Sequence, residues 1–196
     1  MRGTATALVS DGPRFRAAGA AQAALSNERT GQMTSRSAVT AVRHDEGESR
    51  GRALVVAELN RRLADSIDLH AQVKVAHWNV KGPHFASLHP LFEQFAVALA
   101  ARIDQIAERA VTLGGVADGT LPAVAQRSAL AAYDASVRDG IVHARQLAER
   151  FVAYVEGLHA SRRAADAAGD ADTVDLLTQV ISEFEKYGWF LNATVE

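Results

Sequence analysis

Apolar residues recur at helical spacing from Ala53 onward, whereas the first part of the chain shows no sustained period. Beyond Ala53 they return about every 3.6 residues, with charged residues between them, at Leu54, Leu59, Leu63, Ile67, Val73 and Ala76. This pattern predicts a first long helix. We expect it to end near Val80, because Gly82-Pro83 follows and proline cannot continue the hydrogen-bond ladder of a helix.

A second helix is predicted over about residues 85–113. Gly114-Gly115 follows it, and glycine is the usual residue just beyond the C-terminal end of a helix. The segment 116–134 contains both glycine and proline. It is predicted to be a connection with one short helix around residues 122–131.

A third helix is predicted over roughly residues 135–168, and a fourth ends near Val195, with Asp170 or Asp172 as its N-cap. Four long helices with one long crossover between the second and third predict an all-α, ferritin-like four-helix bundle. From the pattern alone, another up-and-down bundle without a metal site is the alternative.

Residues 1–52 differ from the rest of the chain in composition. They are rich in Arg, Ser and Gly, and their eight arginines against five acidic residues give a net charge of +3 without any lysine. We predict that they form a disordered tail and that residues 53–196 form a single domain. Met33 is a second plausible start of translation.

Composition narrows the class of protein further. Apolar residues make up 48% of the 196 residues but aromatic residues only 6%, which favours packed helices over a β-sandwich. The absence of cysteine excludes disulfides and thiolate metal sites. The net charge of −2 indicates no general affinity for nucleic acid. No apolar run is long enough to cross a bilayer, so we expect a soluble cytoplasmic protein with no membrane partner.

Histidines and carboxylates cluster in the segment 77–109. His77, His89, Asp104 and Glu108 are nitrogen and oxygen ligands of the kind that iron accepts. His89 and Asp104 stand on one helix about 22 Å apart, at about 1.5 Å per residue, so they cannot share a metal within one chain. Either the two pairs serve separate purposes, or an antiparallel copy of the helix brings them together twice by symmetry. We favour the second interpretation.

Three stretches of residues 54–196 resemble the signatures of the Dps family, the DNA-protecting mini-ferritins of starved bacteria. The first is His77-Trp-Asn-Val-Lys-Gly, followed by Leu-His89 and Glu93. The second is Ile-Asp104-Gln-Ile-Ala-Glu108-Arg, followed by Leu-Gly. The third lies in the last helix, in Asp-Ala-Asp-Thr and Glu-Lys-Tyr-Gly-Trp-Phe-Leu, where Gly188 replaces the bulky apolar residue usual in the family.

The resemblance implies a hollow dodecamer of four-helix subunits, with iron-oxidation (ferroxidase) sites at the two-fold interfaces. It implies that His77 and His89 come from one subunit, and Asp104 and Glu108 from its mate. Trp78 then lies beside the site, either as an electron or radical acceptor or as an interface packing residue. Glu93 is implied as an outer ligand or as a ligand to a second metal. The expected reaction is oxidation of Fe(II), with hydrogen peroxide preferred, and storage of Fe(III) mineral.

Two other functions remain open from the sequence. One is a cage that compacts DNA and turns over little iron, and the other is a cage that binds divalent metals such as zinc without turnover. DNA binding through the lysine-free tail is expected to be weak and salt-sensitive.

Four acids are candidates for an iron-entry pore or for helix caps and solvated surface: Asp166, Asp170, Asp172 and Asp175. The Glu156-x-x-His159 motif occurs once, where a di-iron site needs two copies, so we interpret it as coincidental.

Overall fold

The computed structural model describes the backbone of residues 20–196 and the side chains of residues 47–196. The chain divides into two units between Glu46 and Gly47, and the bundle lies in the second unit. In chain order the helices are α1 (Ala20–Asn79), α2 (Phe85–Thr112), α3 (Leu121–Arg127), α4 (Gly140–Ala167) and α5 (Ala171–Val195). Residues 20–196 contain no strand, so the predicted all-α class is confirmed.

None of the helices in the described part of the chain is both long and apolar enough to cross a membrane.

The helix ends follow the local signals for the most part. Gly114 adopts a φ of 84° beyond the end of α2, a conformation that glycine adopts without strain. Asp170 caps α5, because its side chain accepts a hydrogen bond from the backbone N–H of Thr173. The third long helix begins at Gly140 and not near residue 135 as predicted. Asp139 caps it there by accepting from the backbone N–H groups of Ile141 and Val142.

The start of α1 differs from the prediction. The helix begins at Ala20 and not near Ala53. Residues 20–52 contain no proline, so no residue in this stretch is barred from a helix interior. The predicted tail also includes residues 1–19, which lie outside the described residues. The domain boundary at residue 52 therefore stays a prediction.

The bundle core is apolar and rich in interlocking aromatic rings. α4 packs against α5 along the bundle, and α2 also contacts α5. Phe151 and Phe184 meet edge to face with ring centroids 5.5 Å apart, and Phe95 meets Phe151 in the same way at 5.3 Å. Edge-to-face contacts are the favoured geometry for aromatic pairs. They hold α2, α4 and α5 in fixed register.

A buried ion pair lies inside this core, on α1. Arg62 Nη1 lies 2.8 Å from Asp65 Oδ2, and both side chains are largely buried. Burial raises the pKa of Asp65, while the N–H of Ala129 and the guanidinium of Arg62 act in the opposite direction. The guanidinium occupies the space beside Gly157 of α4, where a Cβ atom would overlap it. Glycine at this position therefore makes room for the ion pair.

The crossover between α2 and α4 is fastened to α1 by side chains. Asp65 Oδ1 accepts from the N–H of Ala129 at 2.8 Å, and Asp68 Oδ2 accepts from the hydroxyl of Ser128 at 2.6 Å. Gln72 Nε2 donates to the carbonyl of Ala131 at 3.2 Å. Because these groups lie at successive turns of α1, they fix the path of the crossover along that helix.

We expect Gly157→Ala to lower the free energy of unfolding by about 3 kcal/mol, because the new methyl group displaces the guanidinium and leaves a buried carboxylate unpaired. Gly188→Ala is the matched control, since a Cβ there meets nothing within 4 Å. Alanine at that helix position should raise stability by up to about 1 kcal/mol. Urea denaturation of both variants at one fixed protein concentration measures the difference, and equal effects would contradict this packing.

Candidate metal centre

The two predicted histidines lie together where α1 ends and α2 begins. Their rings stack with centroids 3.8 Å apart and an interplanar angle of 23°. Nδ1 of His77 lies 2.9 Å from the carbonyl oxygen of His89, and Nδ1 of His89 lies 2.9 Å from the carbonyl oxygen of His77. This reciprocal pair of hydrogen bonds joins the two helices across the turn at residues 80–84.

The reciprocal bonds fix which nitrogen of each ring is available to a metal. A carbonyl oxygen only accepts, so each Nδ1 carries the proton and donates it. In a neutral imidazole the other nitrogen, Nε2, then holds a lone pair. Second-sphere bonds of this kind are typical of metal-binding histidines, because they set the tautomer and the ring orientation.

Glu93 lies beside this histidine pair but is held by a lysine. Its Oε2 is 3.4 Å from Nε2 of His77 and 2.5 Å from Nζ of Lys74. The hydrogen bond from Lys74 holds the pKa of Glu93 below its usual range. Glu93 is therefore an ionised carboxylate within reach of His77, with an ammonium group as its present partner.

Aromatic side chains flank the histidine pair. The Phe85 ring stacks on His89 with centroids 4.9 Å apart. Trp78 is 67% exposed, and the ammonium of Lys74 lies 5.8 Å from its ring centroid. A large exposed indole beside buried and half-buried polar groups is typical of a surface that another protein covers.

Asp104 and Glu108 lie apart from the histidines, toward the other end of α2. Both are exposed, and neither makes a hydrogen bond or ion pair with a residue of the described part of the chain. The helix rise places Asp104 about 22 Å from His89. Within residues 47–196, no group of three or more histidine and acidic side chains of one chain is arranged to hold a metal. One chain therefore places His77 beside both His89 and Glu93, but these three do not form a metal-binding group by themselves, and Asp104 and Glu108 lie elsewhere.

The acidic end of α2 is anchored firmly to α5. Arg109 donates from Nη2 to Asp170 Oδ1 at 2.6 Å and from Nε to the hydroxyl of Thr173 at 2.9 Å. About two turns earlier, Arg102 Nε donates to Glu183 at 2.7 Å. These arginines hold the helix in place while the carboxylates of Asp104 and Glu108 face outward.

Other acidic and histidine candidates have local partners. Asp170 caps α5 and pairs with Arg109, which favours the cap interpretation over the pore one for this residue. His159 Nε2 lies 3.3 Å from Glu185 Oε1 on the neighbouring helix, and Glu156 is exposed. The Glu156-x-x-His159 motif therefore lies at the surface, where His159 pairs with Glu185, and not at the centre of the bundle.

Lys74 was missed as part of the site by sequence reasoning. It lies three residues before His77 on the same helix, so its proximity to the histidine could be read from helical spacing. Its contact with Glu93 joins two helices, and no local pattern reveals it.

Comparison with known proteins identifies the family. Residues 56–196 match the family described as the ferritin-like domain. The chain is 38% identical over 148 residues to the DNA protection during starvation protein of Agrobacterium fabrum, an alignment covering 76% of this chain and 91% of that one. The chain therefore belongs to the ferritin-like proteins and, within them, to the Dps family.

Solved structures agree with this assignment. A crystal structure of a Dps protein from Bacillus brevis has a TM-score of 0.72 and 31% identity, and the match covers 75% of this chain and 98% of that one. The Dps protein of Vibrio cholerae O1 also has a TM-score of 0.72, with 26% identity over 76% of this chain and 92% of that one. It is described as a member of a broad superfamily of ferritin-like diiron-carboxylate proteins.

We expect Lys74→Met to strengthen Co²⁺ binding at least about threefold, because it removes a positive charge beside the site and frees the Glu93 carboxylate. Methionine keeps most of the length of the side chain. Lys186→Met on α5, where the ammonium lies over the Tyr187 and Phe190 rings, is the matched control and should change nothing. Titration of the assembled protein with Co²⁺, followed by visible absorption, measures both. Unchanged or weaker binding in Lys74→Met would contradict the role given to this ion pair.

Proposed function

We propose that the protein is a ferroxidase of the Dps type. It oxidises Fe(II) at sites shared between two subunits, stores the Fe(III) product as mineral in a hollow dodecamer, and acts in the cytoplasm. One observation supports this most: α2 carries a histidine-bearing end and an acid-bearing end on one helix, and a single chain cannot join them. The family membership and the diiron-carboxylate description of the Vibrio cholerae relative support iron as the substrate.

The outer face of α2 is suited to self-association. Glu93, Val97, Asp104 and Glu108 follow one another at helical spacing, on the side away from the core residues of the same helix. Val97 lies near the midpoint between His89 and Asp104 and is 63% exposed. If two copies of α2 pack antiparallel with the two-fold axis near Val97, each histidine end meets the acid end of the other copy.

The proposed site draws His77 and His89 from one subunit, and Asp104 and Glu108 from its partner. Imidazole nitrogens bind Fe(II), and carboxylate oxygens favour the harder Fe(III), so this mixed set promotes oxidation of bound iron. Only the neutral imidazole is a ligand, so iron binding should weaken in acid. Glu93 is proposed as an additional ligand once iron displaces Lys74 from it.

Trp78 is proposed to lie at the edge of the shared site, where the partner subunit covers its exposed ring. Hydrogen peroxide is proposed as the preferred oxidant, because its two-electron reduction within the site releases no hydroxyl radical. Protection of DNA then follows from removing both reagents of that radical reaction.

Mixed assemblies of two inactive variants test the shared site. One variant carries His77→Ala and His89→Ala, and the other carries Asp104→Ala and Glu108→Ala. Each alone should be inactive. In cages assembled at random from equal amounts of both, about a quarter of the sites combine an intact histidine pair with an intact acid pair. We therefore expect about a quarter of wild-type Fe(II) oxidation by peroxide, measured anaerobically by ferric absorbance.

Two controls sharpen this experiment. A site built within one chain predicts no recovery in the mixed cages, and that outcome would refute the shared site. Val97→Arg keeps every proposed ligand but places a charge near the proposed axis, so activity and assembly should be lost together. A wild-type cage that binds iron or zinc without oxidising iron would support one of the two alternative functions instead.

DNA binding is proposed to be weak and electrostatic. The net charge of +3 over residues 1–52 is small, and only its repetition over many subunits gives avidity. Changing Arg29, Arg36, Arg43 and Arg50 to glutamine reverses this charge without shortening the chain. We expect wild type to retard duplex DNA in gels at low ionic strength only, and the variant not at all. Equal retardation by both proteins would place the DNA contact elsewhere.

A further inference from the structure

A hydrogen-bonded tyrosine–histidine pair lies beside the histidine end of α2 and has no part in the proposed ligand set. The hydroxyl of Tyr133, in the crossover, lies 2.6 Å from Nδ1 of His143, in the first turn of α4. The two rings are nearly coplanar, with an interplanar angle of 7°. We assign the hydroxyl as the donor and Nδ1 as the acceptor, because a phenol is a stronger acid than the N–H group of a neutral imidazole.

Several contacts place this pair near the histidine-bearing end of α2. His143 is fully buried, and its ring meets the edge of Phe92 at a centroid distance of 6.4 Å. Phe92 directly precedes Glu93 on α2. The N–H of Lys81, in the turn between the two histidine-bearing helices, donates to the carbonyl of Arg138 at 2.8 Å. The end of the crossover is thus tied to the turn that joins His77 and His89.

The start of α4 also packs closely against that turn. A Cβ at Gly140 would come within 2.8 Å of Leu88 Cδ1 and 3.4 Å of Val80. Glycine at this position lets the first turn of α4 approach the segment carrying His89. Tyr133 and His143 are therefore held in fixed positions behind the proposed iron ligands.

The chemistry of the pair suits loss of an electron from tyrosine. A phenol that loses an electron also loses its proton, and oxidation is much easier when a base is already hydrogen-bonded to the hydroxyl. Burial lowers the pKa of His143, so its imidazole is a neutral base. Burial raises the pKa of Tyr133, so the phenol keeps its proton until the electron leaves.

We propose that Tyr133 is a one-electron donor to the peroxide reaction, with His143 as the acceptor of its proton. The inference rests on the proposed ferroxidase function. Hydrogen peroxide takes two electrons, whereas one bound Fe(II) supplies one. In the balanced step, Fe(II), hydrogen peroxide, tyrosine and histidine give Fe(III), two hydroxide ions, a neutral tyrosyl radical and protonated histidine. The O–O bond breaks, the hydroxyl proton moves to Nδ1, and no hydroxyl radical leaves the site.

The other tyrosines of the chain provide matched controls. The chain has three tyrosines. The hydroxyl of Tyr154 bonds to the hydroxyl of Ser66 at 2.8 Å, and that of Tyr187 donates to Glu183 at 3.1 Å. Neither has an imidazole partner among the described residues. Tyr154→Phe and Tyr187→Phe thus remove a phenol while leaving the Tyr133–His143 pair intact.

The test is freeze-quench electron paramagnetic resonance of the assembled protein, loaded anaerobically with one Fe(II) per site and mixed with one equivalent of peroxide. We expect a tyrosyl signal in wild type, narrowed by ring-deuterated tyrosine, and present when Tyr154 and Tyr187 are both phenylalanine. Tyr133→Phe should lose the signal and release several-fold more hydroxyl radical to a spin trap.

Three other outcomes would overturn the inference. A signal unchanged in Tyr133→Phe, or lost only in Trp78→Phe, assigns the radical to another residue. Ferric absorbance that grows normally with no tyrosyl signal in wild type rejects the role of Tyr133 and leaves the proposed function standing. If wild type forms no ferric product, the proposed function fails and this inference fails with it. If Tyr133→Phe does not fold, the double variant that retains Tyr133 alone still decides the assignment.

Discussion

The rigidity of the α-helix is the constraint on which this molecule depends. A helix advances about 1.5 Å per residue and does not bend back, so groups fifteen residues apart on α2 stay about 22 Å apart. His89 and Asp104 therefore cannot bind the same metal ion within one subunit. The arginines that fasten α2 to α5, and the reciprocal bonds between His77 and His89, stiffen both ends of the helix further. The two halves of the proposed site are therefore held in positions that need no rearrangement for two copies to combine them.

Much of the fold could be predicted because its signals are local. Gly82-Pro83, Gly114 and the cap at Asp170 each act within a few residues, and the predicted ends of α2 and α5 agree closely with the structure. The start of α4 differs from the prediction because Asp139 caps the helix, and the crossover before it is held by contacts with α1 that helical periodicity does not reveal. Residues 128–131 are held by side chains of α1, and the chain turns into α4 only after that attachment. Sequence periodicity carries no information about such a contact.

The candidate site could also be predicted only in part. Its histidines and acids stand in motifs that can be found along the sequence, and their separation follows from counting residues. The residues that pair with them and govern their chemistry do not stand in any such motif. Lys74 reaches Glu93 from another helix, and Tyr133 reaches His143 across the end of the crossover. These pairings arise from the packing of helices, which is why the structure was needed to find them.

The contact between Lys74 and Glu93 has a consequence for how metal enters. If Glu93 is a ligand, as proposed, an arriving cation must displace the ammonium of Lys74 before it binds the carboxylate. This exchange lowers the apparent affinity of the proposed site, so a higher concentration of free metal is needed to fill it. At low metal concentration Lys74 stays paired with Glu93 and the metal remains free, whereas at high concentration the metal displaces the ammonium. Under the proposed function, Lys74 would thereby raise the metal concentration at which sequestration begins.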